Sequence, residues 1–108
     1  MQFKLFSPVS FVAVAIAVTV AHTAETKWYS TRSCAGTDSL DYQNLGCDIC
    51  VDPSLDWYAV EVTGINSNQR VTAHNEDKCT SASQVAQQYG DVCIVAGATA
   101  IRSFYIAC

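Results

Sequence analysis

The chain reads as all-β: two Greek-key repeats of four strands each, closed into one small sandwich stapled by disulfides. Three observations predict this. Short runs rich in β-branched and aromatic residues recur from Lys27 to Ala107, separated by turn residues. Six cysteines follow a segment with the features of an export leader. The two halves of the remaining chain also align on their cysteines, glycines and closing strands.

The leader comes first. Lys4 gives a positive start, Phe11 to Val20 is an almost unbroken apolar run, and Thr19 and Ala21 are small residues at −3 and −1 of a cut after Ala21. The run is too short to cross about 30 Å of hydrocarbon comfortably as a helix. Residues 1–21 are therefore expected to be a removed signal peptide, and 22–108 a single secreted domain. With ten Asp and Glu against six Lys and Arg, the formal charge is −4, and removal of Lys4 makes the remainder more acidic. No Lys/Arg cluster marks a nucleic-acid surface, and an acidic chain is repelled by anionic lipid.

Lys27 to Ser33, Trp57 to Thr63, Arg70 to His74 and Ile101 to Ala107 read as strands, and Val92 to Ala96, between Gly90 and Gly97, as another. Thr63 to Asn68 carries turn residues and separates repeats 27–66 and 69–108. Ser81 to Tyr89 (SASQVAQQY) is ambiguous. Ser81 and Gln84 suit a capping box with Gly90 as a stop, yet Val85, Gln87 and Tyr89 alternate as in a strand. The extended reading gives the Greek-key sandwich; the helical one gives a split β-α-β-β-α-β sandwich. The strand at Val92–Ala96 favours the first.

The cysteines, Cys34, Cys47, Cys50, Cys79, Cys93 and Cys108, include a Cys-x-x-Cys pair at 47 and 50. A redox pair needs a thiolate of lowered pKa, usually at a helix N-terminus, and Pro53 follows too closely. A zinc site needs four Cys/His ligands, but the other cysteines are isolated and the only histidines are His22 and His74. No metal or cofactor is expected. Three structural disulfides remain, each worth about 3 kcal/mol for a short loop. Six cysteines allow fifteen pairings. Of these, the repeat suggests Cys34–Cys47 and Cys79–Cys93, with Cys50–Cys108 left over. In that alignment Tyr58-Ala59-Val60 superposes on Phe104-Tyr105-Ile106, and Gly46 and Gly90 correspond.

"CAG" at Cys34 to Gly36, "VTAHNEDKC" and the closing "IRSFYIAC" resemble small secreted fungal proteins with a βγ-crystallin-like pattern. The length and cysteine count are also similar to the α/β-sandwich killer-toxin-like secreted effectors of fungi. Both resemblances imply an extracellular protein that is not an enzyme. Calcium-binding crystallin motifs would place their ligands at Ala98 to Ser103, where only Ser103 matches, so no calcium site is expected.

His74 lacks a partner nucleophile in the sequence, and Asp52 and Asp56 flank Pro53 as turn residues rather than as a glycosidase pair. Better functional candidates are the aromatic doublets Trp28-Tyr29, Trp57-Tyr58 and Phe104-Tyr105. Alternation along a strand should bury one ring of each and turn the other outward, forming a patch for a glycan or protein partner. The expected function is an effector-like or wall-associated binding protein outside the cell. A secreted toxin or antimicrobial protein and, second, a small extracellular hydrolase are the alternatives.

Overall fold

The computed structural model describes residues 24–108; the expected leader lies outside them. Eight strands occur in this range: β1 Ala24–Tyr29, β2 Leu40–Leu45, β3 Ile49–Val51, β4 Ala59–Thr63, β5 Arg70–His74, β6 Gln84–Tyr89, β7 Val92–Val95 and β8 Ser103–Ile106. They form two four-stranded antiparallel sheets, ordered β2-β1-β4-β7 and β3-β8-β5-β6. The domain is all-β, and the split β-α-β alternative is overturned. Ser81–Ser83 is a single 3₁₀ turn, and the rest of the ambiguous segment, Gln84–Tyr89, pairs with β5. Alternation wins there because no apolar partner faces a helical stripe, whereas β5 offers an open ladder.

The order of one sheet maps onto the other when four is added to each strand number, with β3 and β7 exchanged between sheets. The core lies between them. Trp28 opposite Val60, and Val62 beside them, face Phe104, Ile106, Val71 and Ala73 of the second sheet, all of them fully buried. Trp28 stands edge-on to both Trp57 and Phe104, with centroids 6.1 and 6.4 Å apart. The Trp28 indole N–H, buried here, donates to the Thr26 hydroxyl at 3.0 Å, so this ring carries no unsatisfied donor.

All six cysteines are bridged, but none of the suggested pairings forms. The bonds are Cys34–Cys93, Cys50–Cys79 and Cys47–Cys108. The register explains the correction. Cys93 lies opposite Glu61 of β4, and Cys50 opposite Tyr105 of β8. Cys50, not Cys47, therefore holds the position in β3 that Cys93 holds in β7. Val60-Glu61-Val62 likewise matches Phe104-Tyr105-Ile106, two residues from the sequence alignment. Two bridges have the same form, from the connection after β1 or β5 to the strand β7 or β3. The third ties the chain's end to the turn before β3.

Those two bridges put a cover on each sheet. After β1 the chain passes to β7, where Cys34 bonds Cys93 and Arg32 donates to the carbonyls of Ala96 and Gly97, each at 3.3 Å. After β5 it doubles back over the second sheet, where Cys79 bonds Cys50 and the Ser103 hydroxyl donates to Glu76 O at 2.6 Å. Gly90, between β6 and β7, has φ +76°, and a Cβ there would sit 3.1 Å from Ser67 Cα. Only glycine fits that turn without strain.

Candidate functional site

The covers decide what the outer faces can offer. The expected patch of three outward aromatics does not form. Trp28 and Tyr29 are both buried: Trp28 points inward, and Tyr29, on the outer face, lies beneath the segment that follows β1 and donates to Glu61 at 3.2 Å. Burial, and then the Glu61 carboxylate, raise the Tyr29 pKa above its ordinary 10.0. Trp57 is buried and Tyr58 half-buried, and Phe104 is buried and Tyr105 half-buried. Tyr105 donates to Asp48 on the outer face of the second sheet, away from Tyr58. Alternation holds within β1 and β8; the expectation failed because the outer face around Tyr29 is covered rather than open to solvent.

Under the second cover sits His74, 3% exposed. The Thr80 carbonyl, 2.8 Å from Nδ1, can only accept, so Nδ1 carries the proton. Nε2 then accepts from the Thr72 hydroxyl at 2.8 Å. Ser83 Oγ lies 3.2 Å from Nδ1 and donates to Thr80 O at 2.8 Å, while the Thr80 hydroxyl donates to Ser83 Oγ at 2.8 Å. Burial lowers the pKa of the imidazole below its ordinary 6.5, against a smaller opposing effect of the Thr80 hydrogen bond. The network is saturated and pins the 3₁₀ turns Asp77–Cys79 and Ser81–Ser83 onto the sheet.

Tyr58 leads to the site that sequence reasoning missed. At one end of the sandwich, a cleft of about 400 Å³ is lined by Arg32, Asp56, Tyr58, Asn75, Thr99 and Arg102, among others. The Arg32 guanidinium stacks 4.8 Å from the centre of the Tyr58 ring. Arg102 bonds Asp56 and Asp77, each at 3.0 Å, and these carboxylates, Asp77 foremost, raise its pKa. The Asn75 amide donates to the Thr99 hydroxyl at 3.2 Å. Asp52 accepts from the backbone N–H of Lys78 at 2.9 Å, so Asp52 and Asp56 both join loops rather than standing free as turn residues.

Beside the cleft wall, the Asp52-to-Asp56 turn holds Leu55 at φ +80° with 70% of its surface exposed. A leucine in the left-handed region is a steric outlier. The turn is fixed from both sides: the Trp57 indole donates to Ser54 O at 2.9 Å, and Asp56 is held by Arg102. A strained, exposed apolar side chain beside a polar cleft has no role in packing.

Fold and site together define a class: a small all-β domain of two sheets, braced by three disulfides, with a polar cleft and one projecting leucine at a loop end. Compared with protein families, curated proteins and solved structures, the chain matches none. Among the described residues no helix is long and apolar enough to cross a membrane.

Proposed function

We propose that this is a secreted, effector-like or wall-associated binding protein that recognises an extracellular partner through its loop end. The observation that carries the reading is Leu55, held at φ +80° and exposed beside the cleft of Arg32, Tyr58 and Arg102. Backbone strain retained at an exposed position marks a surface kept for contact. An apolar anchor rimmed by hydrogen-bonding and cationic groups suits a protein surface or a glycan with exposed hydroxyls. Three disulfides in so small a chain fit an oxidising compartment.

The same reading takes the two halves as a duplication of crystallin-like Greek keys. The four-strand offset between sheets and the two bridges of matching form support it. Affinity capture of oxidised protein on insoluble wall glycans and on extracellular protein extracts tests the function. Retention on at least one matrix should fall with Leu55→Gly and with Tyr58→Ala. Retention on none, or equal retention of the variants, would remove the proposal.

One observation favours a second reading, a small hydrolase. The Thr72 hydroxyl on His74 Nε2, with Nδ1 oriented by Thr80, has the nucleophile–base–orienter arrangement. Thr72 is 4% exposed, so a substrate carbonyl reaches it only after the cover opens. Ester turnover lost in both Thr72→Val and His74→Gln would support hydrolysis; turnover no faster than buffer would end it.

A further inference from the structure

A sheet edge presents unpaired N–H and C=O groups, and proteins guard such edges with charge, brevity, bulges or cover. Of the four edges in this sandwich, three are guarded. β2 carries Asp41, beside Glu25 on its neighbour, and Asn44 at φ +57° interrupts it. β3 has three residues, with a disulfide at Cys50 and another just before it at Cys47. β7 has four residues and carries the Cys93 bridge.

β6 is different. Gln84–Tyr89 (QVAQQY) has six residues with no charge, no proline and no glycine, and only the bulge at Val85 interrupts its pairing with β5. Gly90 N–H points back to Gln69 O at 3.0 Å. By alternation, the N–H and C=O of Gln87 and Tyr89 point away from β5, to the free edge. Apolar exposure gathers on the same side. Of five exposed large hydrophobics among the described residues, Val85 (49%) and Tyr89 (56%) are on β6, and Val95 (47%) is on β7. β6 and β7 share a small cleft of about 210 Å³ lined by Val85, Ala86, Ile94 and Val95.

We propose that β6 is a homodimer interface: a second copy of this chain pairs antiparallel along it, about a two-fold axis at Gln87. An antiparallel pair of one strand is self-complementary. Centred on Gln87, it faces Gln87 with its own copy, so that the outward N–H of each meets the outward C=O of the other, while the bulge at Val85 limits how far the ladder runs. The chain's acidity selects this edge over the rest. Two copies meeting at β2 would bring their Asp41 carboxylates, with Glu25 and Lys27 of β1 beside them, to the seam, whereas β6 brings no charge of its own to it. The two four-stranded sheets containing β6, one from each copy, become one continuous eight-stranded sheet, with Val85 and Tyr89 of both copies along the seam. The surface is distinct from the Leu55 cleft and stands or falls independently of it.

Sedimentation equilibrium of the oxidised protein, from micromolar to near-millimolar concentration, tests the pairing. The parent should show a reversible monomer–dimer equilibrium. Gln87→Glu places two carboxylates across the axis and should weaken the dimer at least about tenfold at neutral pH. Gln87→Lys should do the same, and an equimolar mixture of the two variants should recover a heterodimer. Tyr42→Glu on β2 should leave the equilibrium unchanged. Both Gln87 variants alter an exposed side chain, and circular dichroism confirms their fold. A parent that stays monomeric throughout overturns the proposal. So does a dimer indifferent to either Gln87 variant, or a mixture that stays monomeric.

Discussion

Leu55→Gly separates strain from binding. The left-handed conformation costs a leucine about 1–2 kcal/mol, which glycine does not incur. Against that relief, glycine brings roughly 0.5–1 kcal/mol of extra chain entropy to be lost on folding. Leu55 is 70% exposed, so truncation sacrifices little buried area. Leu55→Ala loses the same area and keeps the strain. The glycine variant should therefore be the more stable of the two by about 0.5–1 kcal/mol, a gap of about 4 °C in melting temperature for a domain of this size. Ordinarily the order is reversed, since glycine weakens most positions relative to alanine. Thermal melts of both variants, run beside the capture assay, read both consequences. The expected result is a glycine variant at least as stable as the parent that no longer binds. An alanine variant more stable than the glycine one would refute the strain argument, whatever the binding shows.

Three further outcomes follow from the packing and the titration of His74. The unfolded chain protonates His74 near 6.5 and the folded chain only at lower pH, so below about 6.5 the unfolded state holds the extra proton and stability falls with acidification. Melting temperature should drop between pH ~7 and ~5.5 in the parent, and His74→Gln should show a smaller slope over that window. Phe104→Ala removes a fully buried ring packed edge-on to Trp28 and should cost about 3–5 kcal/mol by urea unfolding. Arg102→Gln breaks two exposed ion pairs and should cost less than about 1 kcal/mol, while reducing capture if the cleft is the contact surface.

Much of the fold was legible because five strands announce themselves through β-branched and aromatic residues. Arg70–His74 was read to the residue, and the others to within a few. β2 was not read as a strand, because Leu40–Leu45 is a polar edge whose middle four residues face solvent. β3, at three residues, is too short to show alternation. The glycine match misled the alignment: Gly90 has a positive φ and a close neighbour, and Gly46 has neither. The cleft was invisible because Arg32, Tyr58, Asn75, Thr99 and Arg102 come from separate connections that only the fold brings together. The one available signal was Leu55, an aliphatic residue inside a proline-bounded turn, where polar residues are the rule.

The cysteines carry a consequence beyond stability. For bridges closing 59, 61 and 29 residues, chain entropy alone gives about 4.2, 4.3 and 3.6 kcal/mol. By that measure Cys50–Cys79 matters least. Yet this bridge anchors the cover over Thr72, His74 and Ser103, three buried polar side chains whose partners come largely from Glu76 to Ser83. Releasing the cover exposes that network to water and removes its geometry, so the loss adds to the entropy. Cys47–Cys108 ties the segment after β8 to the turn before β3 and covers no buried polar network, and Cys108 is itself exposed. Paired serine substitutions should therefore invert the entropic order, with Cys50/Cys79 the most damaging and Cys47/Cys108 the least. The same covers shield Tyr29 on one outer face of the sandwich and His74 on the other. The two contacts proposed for partners, Leu55 and the edge at β6, are exposed beside those covers.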